Sequence, residues 1–131
     1  MFFRQLLIDD TACASYLLGC KSHARFAVVD PHVDLVGRYI ALAAAQGIPI
    51  VAVLETHVQA DHVSGLPELV ARTGATAYLP EGAGVAFDHV PLGDGDVVEL
   101  GNTTIRALAT PGHAAAHHAY AVVDHTRAAE P

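Results

Sequence analysis

The chain is short of positive charge. Seven lysines and arginines stand against fourteen aspartates and glutamates in 131 residues, for a formal net charge of -7. Nowhere do the basic residues gather in a run, which argues against a nucleic-acid partner held through its phosphates. A small anionic substrate would have to find positive charge locally, as in a metal ion. Long apolar runs are absent too. No stretch is long enough to span a bilayer. The first ten residues, Met1 to Asp10, lack the basic region, apolar core and cleavage site of a signal peptide. The expectation is a cytoplasmic, soluble protein with no membrane partner. Cysteine is scarce, with only Cys13 and Cys20. Both fall in one predicted strand at an odd separation, which points them to opposite faces and excludes a bond within the strand. Neither lies in a Cys-x-x-Cys turn, so both read as small buried hydrophobes rather than a redox pair. Charged residues make up 16% of the chain and hydrophobic ones 52%, which excludes disorder and fits a single domain over residues 1–131. No repeat, low-complexity tract or linker divides it.

Apolar, β-prone runs at Phe2 to Ile8 and Ala12 to Cys20, separated by Asp9-Asp10-Thr11, predict two strands and a turn, and Arg25 to Asp30 a third strand ended by Pro31. Three short strands in succession imply an antiparallel meander. Asp34 to Gln46 changes period. Val36, Ile40 and Ala43 form one stripe, with Leu35, Tyr39 and Leu42 beside it and Gly47 as the stop, which predicts an amphipathic helix. Ile48 to Leu54 is almost continuously apolar, as in a central strand covered on both faces. Leu66 to Thr73 predicts a second helix with Pro67 in its first turn and Gly74 as its stop. Ala75 to Leu79 follows as a strand. Pro80 to Asp96 is rich in glycine and aspartate and reads as loop, with a brief extended piece near Val85-Ala86-Phe87. Val97 to Leu100 and Thr103 to Ala109 form a hairpin around Gly101-Asn102, and His118 to Asp124 is one more strand.

Nine histidines are many for this length. His23, His32, His89 and His125 fall in polar or turn-like surroundings and read as surface residues. His57, Asp61 and His62 are different. They crowd the loop between a buried strand and the next helix, where open α/β architectures place their chemistry. Imidazole and carboxylate donors this close together suit zinc or iron. The plain alternative is that Asp61 caps the helix and the histidines are ordinary polar residues of a strand-to-helix junction. His113 follows Pro111-Gly112 at the end of another strand, where a rigid and a permissive residue can turn the chain sharply. If the two strand ends share a sheet edge, His57, Asp61, His62 and His113 form one candidate metal set. Alternation puts His117 and His118 on opposite faces, so at most one of them can face it.

The stretch Thr56-His57-Val58-Gln59-Ala60-Asp61-His62, followed by Thr110-Pro111-Gly112-His113, resembles the metallo-β-lactamase superfamily, whose signature is His-x-His-x-Asp-His and a later Gly-His. Phe2-Phe3-Arg4-Gln5, Glu55-Thr56-His57 and Arg72-Thr73-Gly74-Ala75 resemble its persulfide dioxygenase branch, including members fused to rhodanese domains. The resemblance implies an α+β fold, the αββα sandwich. By the order of elements it covers about the N-terminal half: one sheet, its two helices and part of the second sheet. Uncovered apolar sheet surface in such a half would favour a homo-oligomer.

Two departures from the family pattern bear on chemistry. Gln59 stands where the signature has its second histidine, which weakens a dinuclear zinc site. The resemblance to persulfide dioxygenases implies instead a mononuclear Fe(II) held by His57, His113 and a later aspartate, a facial triad with room for thiolate and oxygen. Asp61 and His62 would then serve catalysis by orienting the ligands or holding a bridging water. The later aspartate has no counterpart before Pro131, since Asp124 comes too early and Glu130 lies in the wrong context. The activity implied is oxidation of a low-molecular-weight thiol persulfide to sulfite. One alternative is a Zn(II) hydrolase of the glyoxalase II thioesterase type, with His57, Asp61, His62 and His113 all as ligands. Another is an inactive domain kept as an interaction module.

Overall fold

The computed structural model describes residues 1–8, 13–56, 64–82, 88–109 and 118–125. Strands β1 (Phe2–Ile8), β2 (Cys13–Cys20) and β3 (Arg25–Val29) form the expected antiparallel meander. The expected Asp9-Asp10-Thr11 turn lies outside the described residues. A short 3-10 turn at Val33–Leu35 precedes helix α1 (Val36–Gln46), which begins two residues later than the sequence pattern suggests. It leads to β4 (Ile50–Leu54), parallel to β3. Helix α2 (Leu66–Thr73) leads to β5 (Thr76–Pro80), parallel to β4. Both helices end at a glycine in the left-handed region, Gly47 at φ 69° and Gly74 at φ 74°, as their sequence positions predict.

One strand departs from the sequence reading. Within the Gly- and Asp-rich stretch read as loop, Val90–Leu92 forms β6, parallel to β5 at the edge of the sheet. It is three residues long and contains Pro91, which an edge strand tolerates because one row of its backbone groups needs no partner. The extended piece expected at Val85-Ala86-Phe87 lies outside the described residues. Strands β7 (Val97–Leu100), β8 (Thr103–Ala109) and β9 (His118–Asp124) form a second, antiparallel sheet. Gly101 at φ 68° opens the turn of its hairpin.

Alternation sorts the large sheet's side chains into two cores. Leu6, Leu17, Phe26, Val28 and Val53 face α1 and α2, meeting Tyr39, Leu66 and Leu69. Leu18, Ala27, Val29, Ala52, Leu54 and Leu92 face the second sheet, meeting Val98, Leu100, Ile105 and Ala107. β4 is covered on both faces, as its continuous apolar run requires. The order is helices, six-stranded sheet, three-stranded sheet, which gives three layers of the expected αββα sandwich. Among the described residues no helix covers the outer face of the second sheet, where Val97 and Leu108 remain 44% and 40% exposed. None is long and apolar enough to cross a membrane.

At the end where β3 begins, the turn after β2 nests on the β7–β8 hairpin, and a Cβ on Gly101 would strike the His23 side chain. Cys20 is buried, as expected, but it is not an inert hydrophobe. Its Sγ lies 3.2 Å from Ser22 Oγ and 3.3 Å from His23 Nδ1. Burial opposes ionisation, yet the hydrogen bonds of Ser22, the Asn102 backbone and His23 outweigh it and draw the thiol from 9.0 down to about 6. The lowered pKa stabilises the fold fully above the unfolded value of 9.0, and this contribution is lost as pH falls through about 6. In a Cys13→Ser background, thiolate ultraviolet absorbance should therefore titrate with a midpoint near 6. The stability lost on adding Cys20→Ser should grow as pH rises from 6 to 9. A midpoint near the ordinary thiol value would contradict both.

Candidate functional site

Because β3, β4 and β5 run parallel, their carboxyl ends reach the same edge of the sheet. Open α/β sheets present loops for binding at this edge. Asp30 closes β3 with φ at 54°, a left-handed conformation uncommon for a non-glycine residue. Its amide donates to the Leu54 carbonyl at 2.8 Å. Its carboxylate accepts from the Thr56 amide at 2.7 Å and the Thr56 hydroxyl at 2.8 Å. The chain leaving β4 is thus gripped at the residue before His57.

Glu55, one position earlier, is only 5% exposed. Its amide donates to the Tyr78 carbonyl at 3.2 Å, and its carboxylate accepts a short hydrogen bond from the Ser64 hydroxyl. Burial pushes the Glu55 carboxyl up to about 8, with the Ser64 bond opposing the shift and the nearby negative charge of Asp30 adding to it. Ser64 Oγ also accepts from the Leu66 amide at 3.0 Å, at the start of α2. Gly65 donates to the Pro31 carbonyl at 3.0 Å and lies so near His32 that a Cβ would come within 2.9 Å of its carbonyl oxygen. Both ends of the stretch 57–63 are therefore fixed, Thr56 by Asp30 and Ser64 by Glu55.

His32, read from the sequence as a surface residue, is half-buried and belongs to this framework. It pairs with Ser64 in an isolated antiparallel bridge, its amide donates to the Tyr39 hydroxyl at 2.9 Å, and its Nδ1 accepts from the Asp34 amide at 3.1 Å. Tyr39 also shares a 2.7 Å hydrogen bond with Ser15, and burial pushes its phenol up. His89 is likewise half-buried, while His23 and His125 are exposed as expected.

The second loop is anchored from the other sheet. Ala109, the last residue of β8, pairs with His118, the first of β9. Two residues into β9, the Tyr120 hydroxyl donates to the Glu55 carbonyl at 2.6 Å. Burial pushes this phenol up as well, with the charges of Asp30 and Glu55 adding to the shift. The base of one loop is hydrogen-bonded to the base of the other. The expected site residues themselves, His57, Asp61, His62 and His113, lie outside the described residues, as do Gln59 and His117. His118 is placed by its backbone at the start of β9. Among the described residues no group of three or more His, Cys, Asp or Glu side chains could hold a metal ion. The sequence reading assigned no role to Asp30, Ser64 or Tyr120. A carboxylate directly after an apolar run and before Pro31 was the one local signal for Asp30; the contacts of Ser64 and Tyr120 become visible only in three dimensions.

Residues 8–128 match the metallo-beta-lactamase superfamily. The chain belongs to that superfamily. Its structure superposes on that of ETHE1 from Myxococcus xanthus with a TM-score of 0.86 and 31% identity, covering 93% of this chain and 54% of that one. This supports the persulfide dioxygenase-like branch. A metallo-beta-lactamase from Staphylococcus aureus gives a TM-score of 0.84 at 28% identity, over 94% of this chain and 37% of that one. A hydroxyacylglutathione hydrolase of Methylobacterium is 38% identical over 86 residues, 64% of this chain and 34% of its own. A probable metallo-hydrolase of Burkholderia pseudomallei is 33% identical over 88% of this chain and 50% of its own. The chain thus spans from about a third to half the length of these two curated relatives. The superfamily is metal-dependent, and its relatives here include both hydrolases and ETHE1.

The hydrogen bonds at the loop base carry a direct test. Asp30→Ala strands the Thr56 amide and hydroxyl and should cost about 1–3 kcal/mol of unfolding free energy, whereas Thr56→Val keeps the amide bond and should cost about 1 kcal/mol or less. Urea denaturation of the metal-free protein measures both, and an equal or reversed order would show that Asp30 does not fix the loop.

Proposed function

We propose that the chain carries a metal centre of the persulfide dioxygenase type, which oxidises a low-molecular-weight thiol persulfide. The observation that carries this reading is the likeness to ETHE1 over 93% of the chain, joined to Gln59 at the position of the signature's second histidine. The donor set fits a metal by its chemistry, since imidazoles and a carboxylate suit Fe(II) and Zn(II) alike. In this reading His57 and His113 are the primary ligands. Asp61 and His62 orient them or hold a bridging water. Fe(II) would supply the redox chemistry that brings dioxygen to the thiolate substrate. Overall, persulfide, dioxygen and water are consumed, and thiol, sulfite and two protons are released. The protein's own part is to hold the flanks of the two loops, Thr56 through Asp30 and Ser64 through Glu55 on one side and Tyr120 on the other.

A second reading has its own support. The hydroxyacylglutathione hydrolase relatives favour hydrolysis of a glutathione thioester by zinc-activated water, with His57, Asp61, His62 and His113 all as ligands. The substrate of either reading is a small thiol derivative.

Purified without added metal, the chain should retain iron and consume oxygen with glutathione persulfide. Zinc content with hydroxyacylglutathione hydrolysis and no oxygen uptake would replace the first reading by the second, and absence of metal and of both activities would leave an inactive domain. Gln59→His should increase the zinc bound by zinc-loaded protein and lower oxygen uptake. An unchanged metal content in that variant would show that position 59 does not select the metal.

A further inference from the structure

We propose that Cys20, with Ser22 and His23, forms a modification site for peroxide at the opposite end of the large sheet from the candidate loops. It stands apart from the metal reading, because none of its residues belongs to that site. Cys20 is the last residue of β2 and is buried, whereas the five residues that follow, Lys21 to Arg25, are all exposed. The thiol therefore lies one side chain beneath the surface. Its Sγ is 3.2 Å from the Ser22 hydroxyl and 3.3 Å from His23 Nδ1, and the backbone of Asn102 bonds it from the second sheet. Three partners from two layers meet at one sulfur. A thiolate can only accept, so around the ionised sulfur Ser22 and His23 both donate.

The surroundings hold this arrangement in place. The Asn102 carbonyl accepts from the His125 amide at 2.8 Å, which ties the hairpin turn to the end of β9. Gly101 leaves room for the imidazole, since a Cβ there would come within 2.6 Å of His23 Cγ. A hydroxyl and an imidazole within hydrogen-bond reach of a cysteine are the geometry of an activated nucleophile. With its pKa drawn down to about 6, most of this thiol is ionised at neutral pH. Exposure decides the reagent. At 4% exposed, Cys20 admits a molecule the size of hydrogen peroxide and excludes a peptide-sized disulfide. The thiolate attacks one peroxide oxygen, and the S–O bond forms as the O–O bond breaks. Sulfur gives up two electrons, and the departing hydroxide takes a proton from solvent. The product is a sulfenic acid. Cys13 opens the same strand roughly 23 Å away, too far to convert that product into a disulfide within the chain.

The test uses the full chain carrying Cys13→Ser and treated with a chelator, with hydrogen peroxide as the probe and dimedone as the trap for sulfenic acid. Mass spectrometry should show one dimedone adduct, on Cys20, forming at a rate that rises with pH and is half-maximal near 6. His23→Ala and Ser22→Ala each remove one partner of the sulfur and should move that midpoint up. A rise from about 6 to about 7 lowers the rate at pH 6.5 about three-fold. Glutathione disulfide, the bulky probe, should leave Cys20 unmodified over the same interval. Absence of the adduct overturns the proposal, and so does a midpoint at the ordinary thiol value in the parent chain. A glutathione adduct that forms as fast as the sulfenic acid also overturns it, because the site would then not select by size. Circular dichroism checks the fold of each variant, and should neither fold, the pH profile of the parent decides.

Discussion

The candidate site depends first on the two hydrogen bonds that Asp30 accepts from Thr56. Parallel strands leave unpaired backbone groups at their carboxyl ends, and these need partners if the end of the sheet is not to fray. Asp30 supplies one such partner for the chain leaving β4, and its own amide covers the Leu54 carbonyl. This reciprocal closure brings a carboxylate close to a second one, Glu55, in a buried place. Burial of Glu55, with the charge of Asp30 adding to it, raises its pKa. The Ser64 hydroxyl offsets part of it while tying the far end of the loop. Loop geometry and local electrostatics thus come from the same few side chains.

Most of the fold was legible in the sequence because its periods are clean. Strands β1 to β5, both helices and the β7–β8 hairpin follow from alternation, the helical stripe and glycine stops. β6 was hidden because three residues around a proline carry no periodic signal, and only the edge of an existing sheet makes a strand of them. For the site, the residue types of the two loops were legible and the family resemblance was carried by them. The framework beneath was not. Asp30 acts on Thr56 across 26 residues and Tyr120 on Glu55 across 65, and no local pattern encodes such partners. His32 misled for the same reason, since its turn-like neighbours conceal that Tyr39 and Ser64 enclose it.

Membership of the metallo-β-lactamase superfamily gives these contacts a context. The relatives divide between hydrolases and ETHE1, so one sandwich supports different chemistries by changes in its loops, as fold and function generally part company. Position 59 is where this chain departs from the shared signature. The frame that would hold either metal is the same: a gripped loop from one sheet, a paired strand end from the other, and a phenol between them.

β3 also couples the layers in a way that reaches beyond the site. Phe26 and Val28 enter the helix-side core, whereas Ala27 and Val29 enter the core between the sheets. Each layer is consequently the lid for one face of the same five-residue ribbon. Peeling the helices away would bare half of β3 to water while leaving the other half packed. Shedding the second sheet would do the reverse. Neither half-stripped strand has a stable home of its own, which couples the two cores and ties the packing among the helices to the sheet edge that carries the candidate site.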